Sequence, residues 1–234
     1  MTILMSAFSH DHTDVAIISD RRTAPNAMGV VLGFKSKEAE FKTLRLGPEV
    51  AIGFAGNCGV EDVVLAGLFD ATPNSDEGLL AALVRNEESY AFSFDEVAEY
   101  IDGDVVPDLI EDPLPPGIHS TVVLVGRWEG RPLVAHWSSC NGWKSEPHPT
   151  GMPWCRPIDM PDSDIEAFKL YMTRPGLDYI SSMKAAVGFC ADRYGSVNHG
   201  YVLRRLATQF TRVEGCVAQG ASLPSSSTPA PGSP

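Results

Sequence analysis

Thr2 follows Met1 directly, and removal of that methionine would leave a hydroxyl and a free α-amine on one residue. An α-amine has a reference pKa of about 7.7–8.0, close to working pH. It can take the hydroxyl proton, directly or through a water, and so activate the oxygen for attack on a carbonyl. Threonine is also a common second residue, so position 2 alone decides nothing. Asp20 closes the run VAIISD. If the first two apolar runs form a hairpin, the end of the second lies beside the start of the first. An acid there sits near Thr2 and can orient and neutralise an ammonium; the alternative is an ordinary strand-end turn aspartate. Lys42 precedes the run TLRL. A lysine near the amine lowers the amine's pKa and favours its free base. A solvated edge lysine is the commoner fate of that residue type, and Lys35 and Lys37 compete for the role. In GFAGNCG, residues 53–59, Gly56 ends an apolar run before a helix. Glycine lets the backbone approach a ligand closely, and a Gly56 N–H could stabilise a developing oxyanion. A strand-to-helix turn needs glycine anyway.

Other chemistry-bearing residues fit bland roles better. His10 and His12, in HDHTD, have the look of a ligand pair but fall in a turn with no distant partner. Asp102-Gly103-Asp104 lacks the rest of a calcium loop. Cys58 lies near the proposed site, yet no histidine is placed by sequence to activate it. Trp137, Trp143 and Trp154 could line a pocket, though such residues are more often core or interface.

The elements that must position these residues follow from hydrophobic pattern and turn chemistry. Residues 2–8 and 15–19 read as two strands of a hairpin, and 24–40 as a loop or weak hairpin. Residues 43–46 and 50–54 flank Gly47-Pro48 as strand, turn, strand. Helices are predicted from Val60 to Phe69, with Glu61 and Asp62 in the first turn, and from Leu79 to Glu88. Ser93 and Glu96 form a capping box for a further helix that ends near Tyr100. DPLPPG at 112–117 is a break. Residues 121–125 and 133–137 are strands around Glu129-Gly130, and 138–161 is a long Pro-, Gly- and Trp-rich loop. Asp164–Met172 is a short helix, Pro175 lies near the start of the next, and Tyr201–Leu206 is a last strand. The order implies an α+β sandwich of two antiparallel sheets between helical layers. One domain is expected over residues 2–214, with a disordered Ser/Pro-rich tail over 215–234.

The chain has 234 residues, enough for one well-filled core. Its net charge of −12 disfavours nucleic acid and anionic membrane surfaces as partners. No apolar run approaches the ~20 residues needed to cross a bilayer. The N-terminus has no Lys or Arg before its apolar stretch, so no secretory signal is expected. Five widely spaced cysteines without a CxxC read as reduced thiols, in keeping with a cytoplasmic location.

Taken together and in order, the Thr-Ile start after Met, VAIISDRRT, FKTLRL and EVAIGFAGN before an acid-bearing helix resemble a proteasome β-subunit. The likeness is strongest to the bacterial ring proteases of the HslV type, and it covers about the first 65 residues. It implies a four-layer αββα N-terminal-nucleophile hydrolase fold. It implies Thr2 as nucleophile with its own amine as base, Lys42 tuning that amine, Asp20 positioning Lys42, and the Gly56 N–H holding the oxyanion. Such families also place a Ser-Gly-Gly near the nucleophile, for which Thr150, in Thr150-Gly151-Met152, is the nearest counterpart. They place an Asp and then a Ser or Thr after the long helix, for which Asp192 and Ser196 stand here, one residue further apart than usual. Residue 3 is Ile where many relatives have a second Thr, and the 138–161 loop is longer than theirs. The resemblance implies threonine-type peptide hydrolysis without a cofactor, on peptide or unfolded protein, in a homo-oligomeric ring, with an ATP-dependent unfoldase as a possible partner. A narrow-substrate amidase or peptide ligase, or a catalytically silent ring subunit, are the alternatives.

Overall fold

LMSAF and VAIISD are largely apolar on both faces, as suits strands of a sheet covered on both sides. A computed structural model describes residues 3–22, 41–56, 58–72, 78–147, 160–172, 176–207 and 210–217. In it these runs are β1 (Leu4–Phe8) and β2 (Val15–Asp20), buried throughout. They pair antiparallel, with Leu4 opposite Ser19 and Phe8 opposite Val15. His10 and His12 lie exposed in the turn between them. Strand β8 (Gly200–Leu206) pairs with β2, and β9 (Phe210–Cys216) completes a four-stranded sheet in the order β1-β2-β8-β9. The pattern reading did not anticipate β9. Its central residues Thr211–Glu214 are exposed, and an edge strand facing solvent needs no apolar stripe to mark it. It runs through Cys216, two residues past the expected domain end. The rest of the expected tail, from 218 on, lies outside the described residues, as does the loop expected at 24–40.

The second sheet is a five-stranded antiparallel meander: β3 (Thr43–Gly47), β4 (Val50–Gly56), β5 (Ser120–Trp128), β6 (Arg131–Ser138) and β7 (Glu146–Pro147). Its strands alternate between two cores, as a period-2 chain must. Ala51, Ala55, Val123 and Val125 face the first sheet, where they meet Ile3, Met5 and Ile17. Val50, Ile52, Phe54, Val122 and Leu124 face the helices on the other side. The residues of β4 that meet the first sheet are small because the sheets approach closely. A Cβ on Gly53 would stand 2.6 Å from Leu4 Cδ1 and 2.7 Å from Ile17 Cδ1.

Helices cover both outer faces. On the second sheet lie α1 (Cys58–Phe69), α2 (Leu79–Val84) and α3 (Phe94–Tyr100). The predicted capping box is present: Ser93 Oγ accepts from the Glu96 N–H, and Glu96 Oε2 accepts from the Ser93 N–H at 2.7 Å. The helix does not end at Tyr100. It continues through a π-helical turn, Ile101–Val105, into α4 (Val106–Glu111). The turn holds Asp102-Gly103-Asp104, a poor helical triplet, and Asp102 accepts a bond from the buried Trp137 indole at 2.7 Å. That tertiary bond carries the chain past a local stop. The Leu79 helix stops earlier than expected, at Val84, and a 3-10 turn follows at Glu87–Ser89. Against the first sheet pack α5 (Asp162–Met172) and α6 (Tyr179–Arg193). Helix α6 is capped by Asp178, whose carboxylate accepts from the N–H groups of Ile180 and Ser181. Pro175 is outside the described residues. The fold is α+β with two antiparallel sheets. No described helix is long and apolar enough to cross a membrane.

Candidate active site

The strand registers bring one end of each sheet to the same place. In the first sheet Leu4 begins β1, Asp20 ends β2 and Gly200 begins β8. In the second, Thr43 begins β3, Gly56 ends β4 and Ser120 begins β5. Lys42 crosses between the sheets at that end. Its Nζ donates to Asp20 Oδ1 at 2.7 Å and to the Arg22 carbonyl at 2.5 Å. Asp20 is 0% exposed and Lys42 6%. A lysine whose commoner fate is a solvated edge is therefore buried against Asp20, while Lys35 and Lys37 lie outside the described residues.

The carboxylate is the hub. Asp20 Oδ1 also accepts from the backbone N–H of Ile3 at 3.0 Å, and Oδ2 accepts from the Arg22 N–H at 3.0 Å. The Asp20 N–H itself donates to the Ile3 carbonyl at 3.3 Å. One buried anion thus ties down residue 3, the chain after β2 and the ammonium of Lys42. Charge-assisted bonds of this kind are short and directional, and their loss would leave a charge uncompensated in the interior. The arrangement holds a cation in a fixed place beside the start of β1.

Gly56 closes β4, opposite Ser120. Its φ is +101°, and a Cβ there would stand 2.0 Å from the His119 carbonyl oxygen. Only glycine fits, on backbone conformation and on space. Phe54, two residues before it, donates its N–H to the Lys42 carbonyl at 2.8 Å, so Gly56 lies just beyond the Asp20–Lys42 pair along the strand. Gly56→Ala is expected to destabilise the fold by about 2–3 kcal/mol through conformational strain and displacement of residue 119. Thermal unfolding would register this as a fall in Tm on the order of 5–10 °C; an unchanged Tm would refute the tight approach.

The other predicted site residues fare differently. Thr2 and Thr150 lie outside the described residues. Asp192 sits in the last turn of α6, where its Oδ1 meets His199 Nε2 at 2.8 Å. Ser196 lies in the turn closed by the Val197 N–H on the Tyr194 carbonyl. The segment after it returns to the hub: Asn198 Oδ1 and the Gly200 carbonyl both accept from the Arg21 N–H, at 3.2 Å each. The region containing Asp192 and Ser196 therefore abuts the site, with Asp192 paired to an imidazole. Among the thiols, Cys190 is fully buried, and burial, followed by the nearby Asp20 and Asp164 charges, pushes it up to about 12. That is a core thiol, inert at neutral pH.

Two contributors escaped the sequence reading. The Arg22 carbonyl carries no side-chain signal. Arg204 lies in the strand GYVLRRL, where an arginine within an apolar run is a signal that names no partner. It is 0% exposed and holds Thr43, the residue after Lys42, by Nε to Oγ1 at 2.9 Å and by a terminal nitrogen to the carbonyl at 2.8 Å. Its other terminal nitrogen meets Glu87 Oε2 at 2.6 Å, and Arg212 meets Glu87 Oε1 at 2.8 Å. No family model matches this chain, and no curated protein matches it.

Proposed function

We propose that the protein is a threonine-type peptidase of the N-terminal-nucleophile class, with the four-layer αββα sandwich of that class. The observation that carries this reading is the buried Asp20–Lys42 pair, whose carboxylate also binds the Ile3 N–H. Consecutive Cα atoms are ~3.8 Å apart, so a chain anchored at Ile3 delivers residue 2 to the neighbourhood of the ammonium. The two sheets with helices on both outer faces support the fold assignment.

In this mechanism Met1 is removed and the Thr2 amine, kept as free base by the fixed positive charge of Lys42, takes the proton from Thr2 Oγ. The oxygen attacks the scissile carbonyl, the Gly56 N–H stabilises the oxyanion, and the amine returns the proton to the leaving nitrogen. Water then hydrolyses the acyl-enzyme. Asp20 acts on Lys42 and not on substrate. Thr150, Asp192 and Ser196 are supporting positions. The chemistry needs no cofactor. The substrate is peptide or unfolded protein, and the working form is a cytoplasmic homo-oligomeric ring, fed by an ATP-dependent unfoldase.

Intact mass before and after incubation with a peptide epoxyketone tests the reading. Loss of Met1 and one adduct, absent in Thr2→Ala, is the expected result. Retained Met1 would overturn it in favour of a catalytically silent subunit. A free Thr2 that takes no adduct would move the assignment to a narrow-substrate amidase or ligase.

A further inference from the structure

Cys140 and His119 form a thiol–imidazole pair at the same end of the second sheet as Gly56. Cys140 Sγ lies 3.4 Å from His119 Nδ1, and Cys140 is exposed. The surrounding backbone holds both residues in place. Cys140 sits in the 3-10 turn Ser139–Asn141, its N–H donating to Ser138 Oγ, and Gly142 closes the turn at φ +70°. Ser139 Oγ accepts from the Ser120 N–H at 3.0 Å, tying this turn to the residue after His119. The His119 carbonyl lies against Gly56, where an added Cβ would stand 2.0 Å from its oxygen. The exposed sulfur and the backbone proposed to hold the oxyanion are thus linked through one residue, His119.

We infer that Cys140 is a thiol–disulfide exchange site for small disulfides, with His119 as its proton acceptor, on the rim of the candidate active site. Exposure and an adjacent imidazole are the microenvironment in which a cysteine exchanges, in contrast to buried Cys190. With its proton on Nε2, His119 accepts the thiol proton at Nδ1. The Cys140 thiolate then attacks one sulfur of the small disulfide. The protein–sulfur bond forms, the disulfide's S–S bond breaks, and the departing thiolate takes up a proton. Cys140 is oxidised to a mixed disulfide and half of the small disulfide is reduced to thiol. The group left on Cys140 covers the approach to Gly56, so exchange would shut off hydrolysis at Thr2 reversibly. This last consequence rests on the peptidase reading; the exchange itself does not.

The test incubates the full chain with glutathione disulfide at neutral pH and reads intact mass and peptide maps over time. Cys140 is expected to acquire one glutathionyl group ahead of Cys216, which is also exposed. His119→Gln should slow the reaction roughly tenfold, by removing the proton acceptor. Cys140→Ser should lose it. Peptide hydrolysis should fall in step with the adduct, return with dithiothreitol, and be insensitive in Cys140→Ser. Modification of Cys216 as fast as Cys140, or an unchanged rate in His119→Gln, would overturn the assignment. Because exchange is read by mass, the result stands whether or not any peptide is cleaved, which separates failure here from failure of the peptidase reading.

Discussion

Lys42→Met is expected to reduce peptide hydrolysis on the order of 10³-fold, since the base would lose the charge that tunes it. The same change strands the Asp20 carboxylate, fully buried, with only the backbone N–H groups of Ile3 and Arg22 as described partners. Removing one partner of a buried pair is strongly destabilising, because the remaining charge cannot reach water. A loss of activity could therefore reflect partial unfolding, and a second variant separates the two. Asp20→Asn combined with Lys42→Met removes both charges and keeps the shape. It should recover much of the lost stability in a denaturant titration and none of the lost turnover. Turnover at the wild-type rate in Lys42→Met would sink the proposed mechanism, whatever the stability.

Arg204→Met should have the largest effect on the fold. It removes the donors to Thr43 and leaves Glu87, in a nearly closed site, with Arg212 and the Arg45 N–H. A cost of about 3–5 kcal/mol is expected, read as a fall in Tm on the order of 10 °C. The pH dependence gives an independent check. Burial raises the Glu87 pKa, but bonds and charge from Arg204, with help from Arg212 and the Arg45 N–H, outweigh it and hold the carboxyl below its ordinary 4.5. The unfolded chain then binds the proton more readily than the folded one, so stability rises with pH across that range. The contribution is complete above the ordinary glutamate value and is lost as pH falls through the depressed one. Arg204→Met should flatten this acid-side slope, and adding Glu87→Gln should restore part of the stability by removing the stranded anion. An unaltered Tm and slope would mean that the buried arginine does not hold Thr43 and its strand.

Much of the frame was legible in the chain. The β1–β2 hairpin, the β3–β4 and β5–β6 pairs and the Ser93 capping box were readable because each depends on neighbours in sequence: apolar runs, a turn, or a side chain three residues from its backbone partner. Where the reading failed, a distant partner intervened. Helix α3 continues past Tyr100 because Trp137, 35 residues from Asp102, binds there. Strand β9 was invisible because an edge strand exposed to water carries no periodic apolar signal.

The sequence alone determined the residue types and their order: a threonine behind Met1, an acid ending the second strand, a lysine opening the third and a glycine closing the fourth. These are local properties of strand ends and turns. Only the tertiary structure decided that Lys42 meets Asp20, that Ile3 shares that carboxylate, and that Asp192 turns to His199. It also decided that Cys140 stands beside His119 and that Arg204 is buried against Thr43 and Glu87. Two of these pairings, Lys42 with Asp20 and Arg204 with Thr43, cross between the sheets, the second over 161 residues of chain. A one-dimensional pattern records which face a side chain takes, but not which other face it will meet. That is set by how closely two sheets can stack, and here by the missing side chain of Gly53.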